Sequence, residues 1–161
     1  MREPDDDDAI ADLPLEKFLT YRLLTLTNRL NRQAMQILDD TAKLRLPEWR
    51  CLAMIGRYGK ISLNRIAEIT EMDRALISRS VQGLVEKGHV LTERDGEDRR
   101  VVYAVHTKLG TDTFQAVLPL MQRRQKHLLN RLSPSERKAI YRIIERLSEA
   151  LDDWDENRGS Q

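Results

Sequence analysis

A long stretch without helix breakers near the N-terminus constrains this fold more than any other feature. No proline or glycine occurs from Leu15 to Leu46. Apolar residues recur in this stretch every three or four positions, at Leu19, Leu23, Leu26, Leu30, Ala34 and Ile37. This spacing predicts one amphipathic helix of about 30 residues. In a small protein, a helix of that length cannot bury its apolar face without an equally long partner helix.

The C-terminal part of the chain offers such a partner. A helix start is predicted there, with Ser133 as N-cap, Pro134 at the first helical position and Glu136 three residues after the cap. Beyond it, apolar residues repeat at close to 3.5 positions, as in a coiled-coil seam: Ile140, Ile143, Ile144, Leu147, Leu151 and Trp154. We therefore expect a homodimer whose terminal helices pack across a twofold axis through these six residues together with Leu19 and Leu23.

The sequence between these ends predicts four more helices and a hairpin. Pro47 suits the first turn of a helix that carries Trp49 and ends near Gly56 or Gly59. Ser62 and Asp73 are N-cap candidates for helices over Leu63–Ile69 and Arg74–Lys87, and Gly88 ends the second of these. The period then changes to two in His89–Arg94 and Val101–His106, which flank turn residues at Asp95–Asp98. A last helical stripe runs from Phe114 to Leu132, and Pro119 should kink that helix or displace its start.

The order of elements therefore predicts a mainly α fold with a small β-hairpin wing. A winged helix-turn-helix lobe is expected at 46–107. Helical dimerisation segments are expected at 14–45 and 108–154. Residues 1–13, which hold the Asp5–Asp8 run, are expected to be a disordered acidic tail, and 155–161 a second tail.

Composition excludes several other classes of protein. The 161 residues suit one domain, or one small domain with an appendage. No run approaches the roughly 18 consecutive apolar residues of a membrane span, and the acidic N-terminus has no apolar signal region. Cys51 is the single cysteine, which rules out a disulfide within one chain and zinc sites built on cysteine pairs. A reducing, cytoplasmic compartment fits this pattern best.

Charge is distributed unevenly along the chain. The formal net charge is +1, but residues 1–13 hold six acids and one arginine, and residues 145–161 hold six acids and two arginines. The terminal segments thus carry −5 and −4, which leaves +10 on residues 14–144. A basic body with acidic ends favours a polyanionic partner.

The helix Arg74–Lys87 has the pattern of a DNA-reading helix. Ile77, Val81, Leu84 and Val85 fall on one face and should pack on the core of the lobe. The opposite face carries side chains that suit a major groove, namely Arg74, Ala75, Ser78, Arg79 and Gln82. Base edges are normally read from the N-terminal part of such a helix. Arg65, in the preceding helix, joins the expected DNA contacts; the plainer alternative is a solvated helix face.

The hairpin strengthens the nucleic-acid interpretation. Arg94, Arg99 and Arg100 bracket its charged turn, and a wing that presents arginine can insert it into a minor groove. Asp98 lies two residues before Arg100 and can orient its guanidinium. Local ion pairs on a solvated turn are the alternative, and these are worth little energy.

The residues of the lobe resemble the multiple-antibiotic-resistance regulator (MarR) family of bacterial transcription factors. The resemblance rests on Leu46-Pro-Glu-Trp-Arg-Cys-Leu52, Ile66-Ala67, Ser78-Arg-Ser-Val-Gln-Gly-Leu-Val-Glu-Lys-Gly88, Asp95-Gly-Glu-Asp-Arg-Arg100 and Thr107-Lys-Leu-Gly110. It implies obligate dimers that bind pseudo-palindromic operators, usually as repressors. Many members release DNA when a small molecule, often a phenolic or aromatic acid, binds between the lobe and the dimerisation helices. It also implies that Arg100 enters the minor groove, held by Asp98. His106 departs from the family pattern, which has an apolar residue there; it is either a partly buried histidine or a pH sensor.

An effector pocket is expected where the first, second and fifth helices meet the lobe. An arginine beside aromatic and apolar side chains suits a carboxylated aromatic compound, and the candidates are Tyr21, Arg22, Trp49, Arg50, Met54 and Tyr58. Core packing and surface ion pairs are the alternative roles of these residues. Cys51 stands at core-like spacing, which favours a buried, inert thiol over an oxidation sensor. His127 has no second ligand at helical spacing, so neither a metal site nor a cofactor is expected.

Two other functional classes remain to be distinguished from a ligand-responsive DNA-binding regulator. A winged helix can serve as a protein-interaction module that does not bind DNA. An enzyme is disfavoured, because no glycine-rich phosphate loop, Ser/His/acid order or metal-ligand spacing occurs. Removal of Arg74, Arg79 and Arg100 would abolish operator binding but leave a protein-interaction function intact.

Overall fold

A computed structural model describes residues 13–159, so all but the last residue of the expected acidic tail lies outside the described part. A short 3-10 helix at Leu15–Lys17 precedes the first α-helix. The elements are α1 (Leu19–Thr41), α2 (Leu46–Tyr58), β1 (Lys60–Ser62), α3 (Leu63–Thr70), α4 (Arg74–Glu86), β2 (Val90–Arg94), β3 (Val102–His106), α5 (Lys108–Leu129) and α6 (Pro134–Gly159). Within the described residues, none of the helices is long and apolar enough to cross a membrane.

The first helix is shorter than predicted. Phe18 has an extended backbone (φ −58°, ψ 137°), which separates the 3-10 turn from α1. At the other end, Lys43 adopts a left-handed conformation (φ 50°), and Leu44 is buried. The predicted length of about 30 residues is therefore too long: α1 has 23 residues, because the chain turns at Lys43, where no proline or glycine marks a break.

The helix-turn-helix segment begins its helices as predicted. The Ser62 hydroxyl accepts a hydrogen bond from the Arg65 amide at 3.2 Å, and the Asp73 carboxylate accepts one from the Leu76 amide at 3.0 Å. These N-caps satisfy amide groups that a helix leaves unpaired in its first turn. Gly88 has φ 76° just after α4, as expected of a glycine that ends a helix.

The wing belongs to a three-stranded antiparallel sheet of order β1-β3-β2. Ala104 in the central strand is buried and pairs with Ile61 on one side and Thr92 on the other. Sequence patterning predicts only β2 and β3. It misses β1, because a strand of three residues is too short to show a period. This strand is defined only by its pairing with β3, which is distant in sequence.

The segment after β3 packs α5 tightly against the lobe. The Thr107 amide donates to the His89 carbonyl at 3.0 Å, and the Thr107 hydroxyl donates to the Gly88 carbonyl at 2.7 Å. A Cβ atom at Gly110 would lie 2.0 Å from the His89 carbonyl oxygen, so only glycine fits there. The Thr-Lys-Leu-Gly sequence thus anchors the start of α5.

The structure forms two compact units, one ending at Pro119 and the other beginning at Leu120. Helix α5 continues through Pro119, and its start at Lys108 is not displaced. In the second unit, the Glu136 carboxylate accepts from the Ser133 amide at 2.7 Å, as the predicted helix start requires. Helix α6 extends past Trp154 to Gly159 and so includes the first residues of the expected second tail. No proline or glycine interrupts residues 135–158, and nothing local ends the helix earlier.

Candidate nucleic-acid interface

Helix α4 has one buried and one exposed face, as its spacing predicts. Ile77, Val81 and Leu84 are at most 2% exposed. The residues expected to face DNA are all exposed: Arg74, Ala75, Ser78, Arg79 and Gln82. Neither Arg74 nor Arg79 forms an ion pair with any side chain in the described part of the chain. Two uncompensated guanidinium groups therefore lie on the open side of this helix.

Two other predicted contact residues are exposed but already paired. The Arg65 guanidinium donates to the Glu68 carboxylate at 2.9 Å, and the Gln82 amide donates to the Glu86 carboxylate at 3.0 Å. Exposed pairs of this kind contribute little stability, since water competes for both partners. Both side chains can therefore exchange these partners for a polyanionic ligand at small cost.

The turn of the wing is built by two aspartates. One Asp95 carboxylate oxygen accepts hydrogen bonds from the Glu97 amide at 2.9 Å and the Asp98 amide at 3.0 Å. These hydrogen bonds, the stronger from Asp98, lower the pKa of Asp95. Asp95 therefore stays ionised and closes the turn between β2 and β3.

Asp98 holds Arg100 in a fork. The Arg100 Nε and Nη2 atoms each donate to a different Asp98 carboxylate oxygen at 3.0 Å, and the Arg100 amide donates to the same carboxylate. The Arg100 side chain is nevertheless 91% exposed. These bonds lower the pKa of Asp98 and raise the pKa of Arg100. Two of the five N–H groups of the guanidinium are engaged, and the others are directed away from Asp98. Arg94 and Arg99 are exposed on the same wing.

This lobe matches a known family. A model of the MarR family matches residues 43–101, which run from the turn before α2 to the end of the wing turn. Over these residues the chain is similar to the MarR family, as its sequence suggested.

Individual proteins of known name are also similar to this chain. The HTH-type transcriptional regulator YfiV of Bacillus subtilis is 26% identical over 107 residues, which is 66% of this chain and 67% of YfiV. A MarR/EmrR family regulator from Acinetobacter sp. ADP1 has a TM-score of 0.80 at 21% identity, over 88% of this chain and 99% of that one. The S. aureus MepR–DNA complex has a TM-score of 0.77 at 17% identity, over 83% and 98%. Bordetella bronchiseptica BpsR, studied for regulation of its DNA binding by 6-hydroxynicotinic acid, has a TM-score of 0.75 at 21% identity, over 84% and 96%. The family resemblance and the predicted fold class are confirmed.

A buried carboxylate in the lobe links α2 to the end of α4 through hydrogen bonds. Glu48 is 1% exposed, and its two oxygens accept from the Lys87 amine at 2.7 Å, the Arg45 amide at 2.7 Å and the Arg45 guanidinium at 3.1 Å. Burial by itself raises the pKa of Glu48, but the hydrogen bonds from Lys87 and Arg45 outweigh it and hold the pKa below its usual value. Sequence analysis missed this pair, because Lys87 is remote in sequence.

Replacement of Glu48 by glutamine should reduce the free energy of unfolding at pH 7 by about 1–3 kcal/mol, because charge-assisted hydrogen bonds are lost. The folded-state pKa lies below the unfolded-state value, so the carboxylate stabilises the fold above the unfolded-state pKa. This contribution disappears as the pH falls through the folded-state pKa. Urea unfolding should therefore show a difference in stability between wild type and Glu48→Gln that is largest at pH 7 and shrinks as the pH falls through the folded-state pKa of Glu48. Exposed Glu97→Gln is the control, and a difference that does not change with pH contradicts the assignment.

The six residues proposed for an effector pocket occupy different surroundings. Trp49 is buried, with its ring stacked on Phe114 at 6.1 Å between centroids. The Arg50 guanidinium donates to the Asn31 side chain at 3.3 Å and lies 4.0 Å from the Met72 sulfur. Met54 is half-buried, whereas Tyr21, Arg22 and Tyr58 are exposed.

A cleft of about 350 Å³ opens between α2, β3 and the first half of α5. It is lined by Ile55, Gly56, Gly59, Val105, His106, Thr111, Phe114 and Gln115. None of the six expected effector residues is among them. A Cβ atom at Gly56 would lie 2.9 Å from the Phe114 ring, so this glycine lets the ring pack on α2. Gly56 lies inside α2 rather than at its end. A glycine at such a position is a sequence signal for close packing, and it could have indicated this region.

His106 lies at the edge of this cleft. Its Nε2 atom is 2.9 Å from the Leu52 carbonyl oxygen, and since a carbonyl only accepts, Nε2 carries the proton. Its ring lies 5.7 Å from that of Phe114. Burial lowers the pKa of His106 more than the Leu52 hydrogen bond raises it. His106 is thus the partly buried histidine that the sequence suggested, neutral near pH 7.

Cys51 is fully buried. Burial, reinforced by the charge of Glu48, raises the pKa of its thiol to about 12. Oxidation requires an accessible thiolate. The geometry therefore favours the structural role expected for this residue.

The residues expected at a dimer interface leave apolar surface uncovered in the protomer. Leu19 and Leu23 of α1 are 55% and 43% exposed. On α6, Leu147 is half-buried and the others are exposed: Ile140, Ile143, Ile144, Leu151 and Trp154. Exposed apolar faces of this extent typically mark interaction sites.

Proposed function

We propose that this chain is a MarR-family regulator that binds double-stranded DNA as a homodimer, with α4 in the major groove and the wing in the adjacent minor groove. The strongest support for this proposal is the position of the Arg100 side chain. Its guanidinium is almost fully exposed, yet it is aimed by a two-point hydrogen bond to Asp98. Fixing a charged side chain in advance reduces the entropy lost when it enters a groove. The MepR–DNA complex, similar in fold, supports DNA binding by this lobe.

The exposed face of α4 supplies the candidate base-reading residues. Arg74, Ser78 and Arg79 lie toward its N-terminal part, where base edges are usually reached. Arginine can donate bidentately to guanine, Gln82 can pair with adenine, and small Ala75 permits close approach. Arg65, Arg94 and Arg99 are exposed beside this face and suit phosphate contacts, which fix orientation rather than sequence.

Dimerisation would present two such lobes to one site. The apolar faces of α1 and α6 are the surfaces available for it. A twofold dimer makes the same contacts twice, so its preferred site is a pseudo-palindrome. Such a dimer bound at a promoter would act as a repressor by excluding polymerase.

The cleft beside His106 is the candidate effector site. Its lining combines the Phe114 ring and aliphatic side chains with the polar groups of His106, Thr111 and Gln115, a combination suited to a small aromatic ligand. With Nε2 protonated, Nδ1 of His106 is an acceptor for a phenol or a protonated acid. The ligand regulation described for BpsR supports a small-molecule effector.

The decisive experiment measures binding to a labelled fragment from upstream of the protein's own gene, against a shuffled fragment of equal length. We expect preference for the native fragment, and an affinity that falls steeply with salt because counterions are released from DNA. Preformed complexes are then challenged with aromatic acids to seek DNA release. Absence of binding to any DNA would overturn the proposal and leave the winged lobe as a protein-interaction module.

A further inference from the structure

Arg45 brings a cation from outside the helix-turn-helix onto the surface of α4. It precedes α2 as the N-cap residue, yet its guanidinium reaches α4 at Gly83. A Cβ atom at Gly83 would lie 3.4 Å from Arg45 Nη2. It would lie closer still to Glu48 Oε1, at 2.7 Å, so the missing side chain at Gly83 makes room for the Arg45–Glu48 pair against α4, one turn from Arg79.

Glu48 fixes the position of the Arg45 guanidinium, but the positive charge of Arg45 stays accessible from solvent. Its carboxylate contacts both Nε and Nη2 of Arg45, at 3.3 Å and 3.1 Å. The Glu48 side chain is 1% exposed and is also paired with Lys87, whereas the Arg45 side chain is 76% exposed. The negative charge is therefore internal and shared between two cations, and a positive charge faces outward.

Arg79 faces the same space. A shallow cleft of about 100 Å³ is lined by Arg45, Pro47, Glu48, Leu76, Arg79 and Ser80. Arg79 has no ion-pair partner in the described residues, so two guanidinium groups border one opening on the DNA-facing side of the lobe.

We propose that Arg45, which borders the same opening as the base-reading Arg79, binds a phosphodiester group of the DNA strand beside the groove read by α4. This inference rests on the proposed DNA binding and adds a contact from α2 to it. Arginine pairs favourably with phosphate through two parallel N–H donors. Arg45 precedes α2, whereas the base-reading residues lie on α4. A contact from Arg45 to the DNA backbone would therefore help to fix the angle at which α4 enters the groove.

The test compares Arg45→Gln with wild type and with Arg57→Gln. Arg57 is exposed at the other end of the same helix and serves as the matched control. Arg45→Gln keeps the backbone amide that binds Glu48, and Lys87 still neutralises that carboxylate. Thermal unfolding of each variant checks that the lobe remains folded.

The expected signature is electrostatic. Loss of one phosphate contact per protomer should reduce the slope of log affinity against log salt by roughly two per dimer. Affinity should fall about tenfold on both the native and the shuffled fragment, because a phosphate contact carries no sequence information. Arg45→Lys should restore most of the slope, and Arg57→Gln should match wild type.

Three outcomes would overturn the inference. Wild-type affinity and slope in Arg45→Gln would exclude the contact while leaving the proposed DNA binding intact. Loss confined to the native fragment would make Arg45 a base-reading residue. Failure of Arg45→Lys to recover any slope, with normal thermal stability, would show that Arg45 acts without contacting phosphate. A wild-type protein that binds neither fragment would instead contradict the proposed function itself.

Discussion

Substitution of Arg100 by alanine should weaken operator binding by about 100-fold, since a dimer loses two groove contacts worth roughly 1–3 kcal/mol each. The fold should not change, because the Arg100 side chain is 91% exposed and its hydrogen bonds in the described structure are to Asp98. Fluorescence anisotropy with the native fragment measures the affinity. Size-exclusion chromatography with light scattering establishes that the variant keeps its oligomeric state.

Two neighbouring substitutions distinguish the contribution of the Arg100 charge from that of its orientation by Asp98. Arg99→Ala removes an adjacent exposed charge. It should reduce operator affinity much less than Arg100→Ala, because within the described residues Arg99 has no hydrogen bonds to Asp98 that orient it. Asp98→Asn leaves Arg100 charged but removes one of the two acceptor oxygens, so its affinity should fall between wild type and Arg100→Ala. Near-wild-type binding by Arg100→Ala would exclude the wing from the interface.

The local features of the lobe were predictable because they depend on neighbours in sequence. Ser62 and Asp73 cap their helices through amides three residues away. The two faces of α4 follow from a period of 3.6 residues, which assigned Ile77, Val81 and Leu84 to the core. The Asp98–Arg100 fork also joins residues two positions apart. Short-range chemistry of this kind is visible in a single sequence.

Features that depend on distant partners were not predictable in the same way. β1 exists because Ile61 pairs with Ala104, and Glu48 is neutralised by Lys87. The cleft beside His106 combines three elements, and its main aromatic residue, Phe114, was assigned only to a helical stripe. The pattern of aromatic and basic residues around Trp49 suggested a pocket, but Trp49 stacks in the core and Arg50 is engaged by Asn31. Residue type alone does not reveal which side chains meet in space.

The second large effect is expected from substitutions in the apolar face of α6. Replacement of both Ile143 and Leu147 by aspartate should dissociate the proposed dimer or unfold it. Burying an aliphatic side chain of this size is worth about 1.5–3 kcal/mol, and a twofold interface contains four such side chains from these two positions. The double variant should therefore weaken dimerisation by at least about 10⁴-fold, and charged carboxylates placed in an apolar seam add to that loss.

Analytical ultracentrifugation across a range of protein concentrations measures this shift, and circular dichroism reports whether the helices persist. Glu145→Gln alters an exposed position on the other side of the same helix and should leave the dimer intact. A folded monomeric variant should lose operator affinity far beyond the Arg100→Ala effect, because one lobe alone contacts only half of a pseudo-palindrome. A stable monomer that still bound the full site tightly would show that the two apolar faces serve some purpose other than pairing two DNA-reading lobes.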